Sequence, residues 1–215
     1  MSGFPLILSS PSGAGKTTIA HELLRRRDDL GYSVSCTTRP PRPAEIDGTD
    51  YFFLTPEAFL AAREKGEFAE SAEVHQHLYG TLRREVDRVL ASGRNVVMDI
   101  DVQGTRQLIE AYPKAVLVFI LPPNAGVMLE RLKARGTESV ASLDRRLRTA
   151  VAELKAVGMY HYVVVNDDLG RAVDAVSKIV DVEHMRTSRI ARLGERVGEL
   201  VVGLEGEIEN NKRSS

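Results

Sequence analysis

Hydrophobic residues in this chain gather in short unbroken runs instead of alternating with polar ones. Four such runs stand out, at residues 6–8, 96–100, 115–121 and 162–165. Runs of this length predict strands buried on both faces, as in a parallel sheet. Between the first and second runs the texture changes. Residues 33–38 and 50–54 predict shorter strands on either side of the proline-rich turn RPPRPAEIDG, so residues 35–85 read as a small insertion. Helical periodicity is predicted over 16–27, 126–133 and 171–186, after the first, third and fourth core runs. This alternation predicts a layered α/β sheet with ligands at the carboxyl ends of its strands. Residues 131–158 hold many arginines and few large apolar side chains before Leu143, which predicts a mobile cover over the site.

The last stretch has its own pattern. Ile190, Leu193, Val197, Leu200 and Leu204 recur at spacings of three and four, an amphipathic or short coiled-coil signature. Gly194, Gly198, Gly203 and Gly206 each cost ~1 kcal/mol relative to alanine in a helix. A free helix here should be weak, which leaves packing against the body or pairing with a second copy.

Composition narrows the class without naming it. The 215 residues suit one compact core with insertions, and 43% hydrophobic with 27% charged residues is ordinary for a globular protein. A net charge of -1 argues against a broad basic surface for nucleic acid. A single cysteine, Cys36, excludes an internal disulfide framework. The longest apolar run falls far below the ~18 residues needed to span a bilayer, and the first residues lack a basic targeting segment. The expectation is a soluble, cytoplasmic protein that binds neither membrane nor nucleic acid.

The chemistry starts at SPSGAGKTT, residues Ser10, Pro11, Ser12, Gly13, Ala14, Gly15, Lys16, Thr17 and Thr18. It follows an apolar strand and opens a helix, the context that makes a phosphate loop credible. Gly13 and Gly15 let backbone N–H groups turn inward around phosphate oxygens. The helix adds its positive end, Lys16 reaches the β- and γ-phosphates, and the Thr17 hydroxyl is a ligand for Mg²⁺. Ser10 stands where the pattern G-x-x-x-x-G-K-[ST] has glycine, which is tolerable if its backbone stays in an allowed region. In VVMDIDVQG, Asp99 ends a core strand where a carboxylate holds Mg²⁺ through water beside Thr17. Asp101 follows on the same side; either carboxylate also fits as a helix cap.

The phosphate loop fixes a class and leaves the substrate open. SVSCTTRPPRPAEIDGTDYFFL, then EFAESAEV, LYGT, DIDVQG, KARGTES and VVVNDD, in this order, resemble the guanylate kinases from about Leu6 to Arg186. The resemblance implies a P-loop α/β/α fold of three layers with a parallel central sheet, a small mixed β-rich GMP-binding insertion and a helical lid. It implies a core domain of residues 1–34, 86–130 and 159–186, a GMP-binding domain of 35–85, a lid of 131–158 and a tail of 187–215. Ser35, Glu70 and Asp101 would read guanine. Arg39, Arg42, Tyr51 and Tyr79 would hold the GMP phosphate, and Thr81 would line the same pocket. Arg131, Arg135 and Arg146 would approach the ATP phosphates, with Asn166 near adenine. The implied reaction moves the γ-phosphoryl group of ATP to GMP, with Mg²⁺ and with dGMP as a second acceptor, in purine nucleotide metabolism.

The base chemistry agrees with that assignment. Guanine offers an acceptor at O6 for Ser35 and donors at N1 and N2 for the Glu70 carboxylate, whereas adenine would leave Glu70 unpaired. Arginines suit bidentate contact with a phosphate dianion. Locally each residue also has a plainer reading: Arg39 and Arg42 as a solvated loop face, Tyr51 and Tyr79 as ordinary strand aromatics. Cys36 beside Ser35, and His77-Leu78 before Tyr79, depart from the usual pattern. His75 and His77 share a strand face, yet no further ligands complete a metal set. The rivals are another nucleoside monophosphate kinase and a catalytically inert interaction module of this fold; the intact loop speaks against the second.

Overall fold

The computed structural model describes residues 3–74, 76–133 and 140–213. In chain order its first elements are β1 (Pro5–Ser9), α1 (Lys16–Arg26), β2 (Leu30–Tyr32), β3 (Ser35–Thr37), β4 (Phe52–Phe53), α2 (Pro56–Glu64), β5 (Phe68–Val74) and β6 (His77–Leu82). Then follow α3 (Arg83–Ala91), β7 (Asn95–Asp99), α4 (Val102–Ala111), β8 (Val116–Leu121), α5 (Ala125–Lys133), α6 (Val140–Lys155), β9 (Tyr162–Val165), α7 (Leu169–His184) and α8 (Leu193–Arg213).

The core is a five-stranded sheet in the order β2-β7-β1-β8-β9, every pair parallel. β1, β7 and β8 are apolar through their middles because both faces are covered, whereas the edge strand β9 buries only Val164 and leaves Val163 and Val165 half exposed. Leu6, Leu8 and Val118 pack with Ile19 and Leu23 of α1 and with Val173, Val176 and Val180 of α7. Ile7, Leu117 and Phe119 point the other way, onto Val86 and Val89 of α3 and Leu108 of α4. The period of two along each strand sorts the residues between these faces. Strand β1 lies centrally, with β7 and β8 on its two sides, so its carboxyl end opens at the crevice where such sheets bind ligands.

Residues 35–82 build a second sheet, β4-β3-β6-β5, in which β3 and β4 are parallel and the β3/β6 and β5/β6 pairs antiparallel. Cys36, Phe59, Phe68 and Leu82 form its small core, with Phe59 and Phe68 stacked 4.4 Å apart. Gly80 is required here: a Cβ would come within 2.9 Å of Phe68 Cδ1 and 3.0 Å of the Glu70 carbonyl oxygen.

Several predicted elements shift. The helices run 16–26, 125–133 and 169–184 instead of 16–27, 126–133 and 171–186, the strands 95–99 and 116–121 instead of 96–100 and 115–121. Strands predicted at 33–38 and 50–54 shrink to 35–37 and 52–53. A helix also follows the second core run, because Asp101 caps α4 there by accepting from the Gly104 N–H at 2.7 Å. β2, α2, α3, β5 and β6 have no counterpart in the apolar runs. β2 is only three residues long, and α3 buries a stripe of just Val86 and Val89 on an otherwise polar helix. Of the predicted cover, α6 shares a small core with α5, in which Met128, Leu132 and Ala150 are buried.

At the far end of the core, α7 is tied down by a buried carboxylate. Glu183 accepts from Tyr162 Oη at 2.7 Å and from Arg189 Nε at 3.1 Å, and the Arg189 guanidinium lies 4.2 Å over the Phe4 ring. Beyond this anchor α8 buries no residue.

Candidate active site

The site begins where β1 ends. Gly13 and Gly15 take φ of 87° and 91°, which side-chain-bearing residues rarely tolerate. Ser10 is not among the positive-φ residues, so serine at the loop's first position carries no strain. Among the described residues no side chain caps α1, which leaves its first N–H groups for an outside acceptor. Asn166 holds the loop from beneath, its Nδ2 donating to the Ala14 carbonyl at 2.7 Å. A Cβ on Gly15 would stand 2.5 Å from that nitrogen. Asn166 is therefore placed as a buried support of the loop.

Lys16, Thr17 and Thr18 form one end of a cleft of about 800 Å³. Asp99, at the end of β7, accepts from the Thr17 hydroxyl through Oδ2 and from Tyr32 Oη at 2.8 Å through Oδ1. Burial, with the Asp99 charge alongside, pushes the Tyr32 phenol well up from its ordinary pKa. The rest of the cleft is lined by His21, Tyr32 and Asp101 of the core, by Ser35, Glu70 and Tyr79 of the second sheet, and by Arg39, Arg42 and Tyr51 between β3 and β4.

Register explains why these residues meet. Ser35 pairs with Thr81, and Thr81 with Glu70, across three adjacent strands. A bulge between Phe68 and Glu70 re-aims the Glu70 side chain. Glu70 is buried, and Thr81 Oγ1 donates to its Oε1 at 2.7 Å. Burial raises its carboxyl to about 7 against the opposing Thr81 bond, and the Asp101 charge adds to the rise. Thr81 is itself fully buried, so its hydroxyl is held against the Glu70 carboxylate. On α4, a Cβ at Gly104 would fall 2.6 Å from Glu70 Oε2. Glycine there lets α4 approach the carboxylate. Gln107 docks the same helix on β5: the Ser71 N–H donates to its Oε1 at 3.0 Å, and its Nε2 donates to the Ser71 carbonyl at 2.9 Å.

Two of the arginines expected to approach ATP lie beside the loop. Arg146 is buried, donating to the Leu132 carbonyl at 3.2 Å and lying 3.4 Å from Ser12 Oγ. The Arg131 Cβ lies 3.5 Å from where a Gly13 Cβ would be. Arg135 and His75 lie outside the described residues. Among the described residues no His, Cys, Asp and Glu group has the makings of a metal cluster. Glu153 of α6 is a further carboxylate near the loop; burial raises it to about 6, with the Lys16 charge opposing.

Tyr32, Glu45, Gly104, Gln107 and Glu153 escaped the sequence reading. For Gly104 the signal was present in DIDVQG, and for Glu45 in a lone pair of acids among the arginines of RPPRPAEIDG. Nothing local marks Tyr32, whose partner is 67 residues away.

A parallel sheet with a phosphate loop on its central strand, facing a small sheet that carries arginines, tyrosines and a buried carboxylate, defines a P-loop nucleoside monophosphate kinase. The sequence model of the Guanylate kinase family matches residues 2–183. A guanylate kinase of Thermotoga maritima is 47% identical over 189 residues, 88% of this chain and 91% of that one. A guanylate kinase of Chelativorans sp. is 46% identical over 200 residues, 93% and 92% of the two chains. The crystal structure of guanylate kinase from Anaplasma phagocytophilum aligns with a TM-score of 0.74 and 34% identity, over 90% of this chain and 93% of the other. The chain belongs to the guanylate kinase family, and its activity is transfer of a phosphoryl group from ATP to GMP.

Proposed function

We propose that the second sheet holds GMP and the loop holds ATP, so that the acceptor phosphate meets the γ-phosphorus within the one cleft. Supporting this is a single observation: Lys16 and Thr17 share that cleft with Ser35, Arg39, Tyr51, Glu70 and Tyr79. Ser35, Glu70 and Asp101 read the base. Arg39, Arg42, Tyr51 and Tyr79 bind the phosphate. Lys16, Arg131, Arg135 and Arg146 stabilise the charge that spreads over the transferring group. The attacking phosphate is already anionic, so no general base is required, and closure of the lid would exclude water that competes as acceptor.

The donors beside Lys16 suit a hard cation such as Mg²⁺. Thr17 Oγ1 and the Asp99 carboxylate are both oxygen groups, the ligands that hard cations prefer, and the one imidazole lining the same cleft among the described residues, His21, is packed edge-on against the Tyr32 ring. When bound, Mg²⁺ neutralises charge on the β- and γ-phosphates. Thr17 would meet it directly and Asp99 through water, with Tyr32 fixing the carboxylate's second oxygen.

An acceptor panel of GMP, dGMP, AMP, CMP, UMP and dTMP, with ADP formation followed, tests the assignment. GMP is expected to lead and dGMP to react, because none of the residues assigned to base or phosphate addresses the ribose 2′ position. A preference for AMP or dTMP would remove Ser35 and Glu70 from the base site. We place this reaction in the cytoplasm, within purine nucleotide turnover. The buried free thiol of Cys36 fits a reducing compartment, and among the described residues no helix is long and apolar enough to cross a membrane.

Helix α8 is read as a contact with a second copy. Val197, Leu200, Val201, Leu204 and Ile208 are exposed along it, and a lone helix with four glycines is marginal in water. Ending the chain after Ile190 keeps the Glu183 anchor and is expected to lower the sedimenting mass from dimer to monomer. Equal mass with and without α8 rules the contact out.

A further inference from the structure

We propose that Glu45 is a positioning residue for the acceptor, its carboxylate presetting Arg39 and the Arg42 backbone to receive the phosphate of GMP. The inference rests on the phosphate site proposed above. Glu45 belongs to the proline-rich turn between β3 and β4. Its two oxygens accept from Arg39 Nη2 at 2.8 and 2.9 Å, and one also accepts from the Arg42 N–H at 2.8 Å. The turn is closed from the other direction by the Glu45 N–H, which donates to the Arg42 carbonyl at 3.0 Å. Arg39 is further held by Nη1, which donates to the Pro40 carbonyl at 2.6 Å, and by its N–H, bonded to Thr37 Oγ1 at 3.1 Å. Its guanidinium carbon lies 5.6 Å from the ring centre of Tyr51 and 5.9 Å from that of Phe53.

The Arg39 and Glu45 side chains are each only 15% exposed, so the pair is more firmly placed than a typical surface ion pair. Arg39's bonds to Glu45 and the Pro40 carbonyl engage at most three of its five guanidinium N–H groups, and its contact with the Tyr79 hydroxyl at most one more. At least one remains for a phosphate oxygen. Arginine otherwise loses much rotamer freedom when it closes on a ligand, and a partner that has already fixed it reduces that cost at binding. A second effect opposes this one, because the Glu45 charge repels a phosphate dianion. Solvent and salt in the open cleft weaken that repulsion, whereas the geometric hold acts at contact distance on both arginines at once. The hold is therefore the larger effect, and removing the carboxylate should weaken GMP.

The test is Glu45→Gln in the full chain, assayed by steady-state kinetics. The GMP KM is expected to rise about tenfold, as for loss of one charge-assisted hydrogen bond, while kcat at saturating GMP and the ATP KM change less than about threefold. Guanosine lacks the phosphate, so its inhibition constant against GMP should stay where it is. An unchanged or lowered GMP KM overturns the proposal, since Glu45 would then be neutral or a competitor of the phosphate. Guanosine weakened as much as GMP also overturns it, because the substitution would have disturbed the whole insertion. Arg39→Lys separates the two levels. If that variant leaves the GMP KM unchanged, the phosphate site itself is misplaced; if it raises the KM while Glu45→Gln does not, only the role of Glu45 falls.

Discussion

Replacing Lys16 with alanine is expected to lower kcat for GMP phosphorylation by about 10³-fold, the scale for removing one preorganised group from a transition state. The melting temperature should shift by no more than a few degrees. Both expectations follow from the same placement. Lys16 opens α1 and lines the cleft, and among the described residues no carboxylate pairs with it within 4.0 Å, so its removal breaks no ion pair there. Its charge is left for the transferring phosphoryl group, where negative charge spreads over the equatorial oxygens. Initial rates by ADP formation and a thermal unfolding curve on the same sample decide the matter. A variant that keeps a tenth of the activity would show that the loop's backbone carries the stabilisation without its lysine.

Glu70→Gln should cut kcat/KM for GMP by about 10³-fold, less than the ~10⁴ of a buried polar site that loses its partner outright, because the amide keeps one acceptor, and should leave the ATP KM unchanged. A carboxylate accepts from both N1–H and N2–H of guanine; the amide turns an NH₂ toward one of those donors. The same residue predicts a pH effect. Its carboxyl is raised from 4.5 to about 7, so the unliganded enzyme loses the acceptor form as pH falls below 7, and the GMP KM should climb there. Folding responds in the opposite direction. A raised carboxyl pKa contributes stability that is full below 4.5 and is lost as pH rises through 7, up to about 3 kcal/mol. The buried carboxylate thus costs stability under the conditions in which it binds GMP. In Glu70→Gln both dependences should flatten; a GMP KM that still climbs below pH 7 would assign the titration to another group.

Much of this molecule could be read from its letters. The unbroken runs around Leu6, Val97 and Val118 predicted strands covered on both faces, and the sheet has helices on each side of them; the run around Val164 predicted the same, but β9 lies at the sheet edge with Val163 and Val165 half exposed. Spacing within SPSGAGKTT predicted a strand, a phosphate loop and a helix, and Gly13 and Gly15 take the positive φ that the turn requires. Both signals are local. They depend on periods of two or of 3.6 and on the steric freedom of glycine, which act within a few residues.

The second sheet was harder, because its strands are short and half-polar and α2 and α3 bury few side chains. Their stability comes from Phe59 stacking on Phe68 and from the β5/β6 register, contacts that no local window contains. The same holds for the supports of the site. Thr81 was expected to line the GMP pocket; the register between β5 and β6 pairs it with Glu70, and its hydroxyl donates to that carboxylate. Asn166 follows β9 and bonds the Ala14 carbonyl, 152 residues away in the chain, a contact that its place in VVVNDD does not reveal.

The chain's own letters thus specified a phosphate loop in a parallel α/β core, and its ordered motifs specified the family. Which hydroxyl fixes Asp99, which glycine lets α4 reach Glu70 and which carboxylate holds Arg39 were decided by the tertiary structure. A side chain's partner across 67 residues is set by strand order and register, and neither quantity has a local period to reveal it.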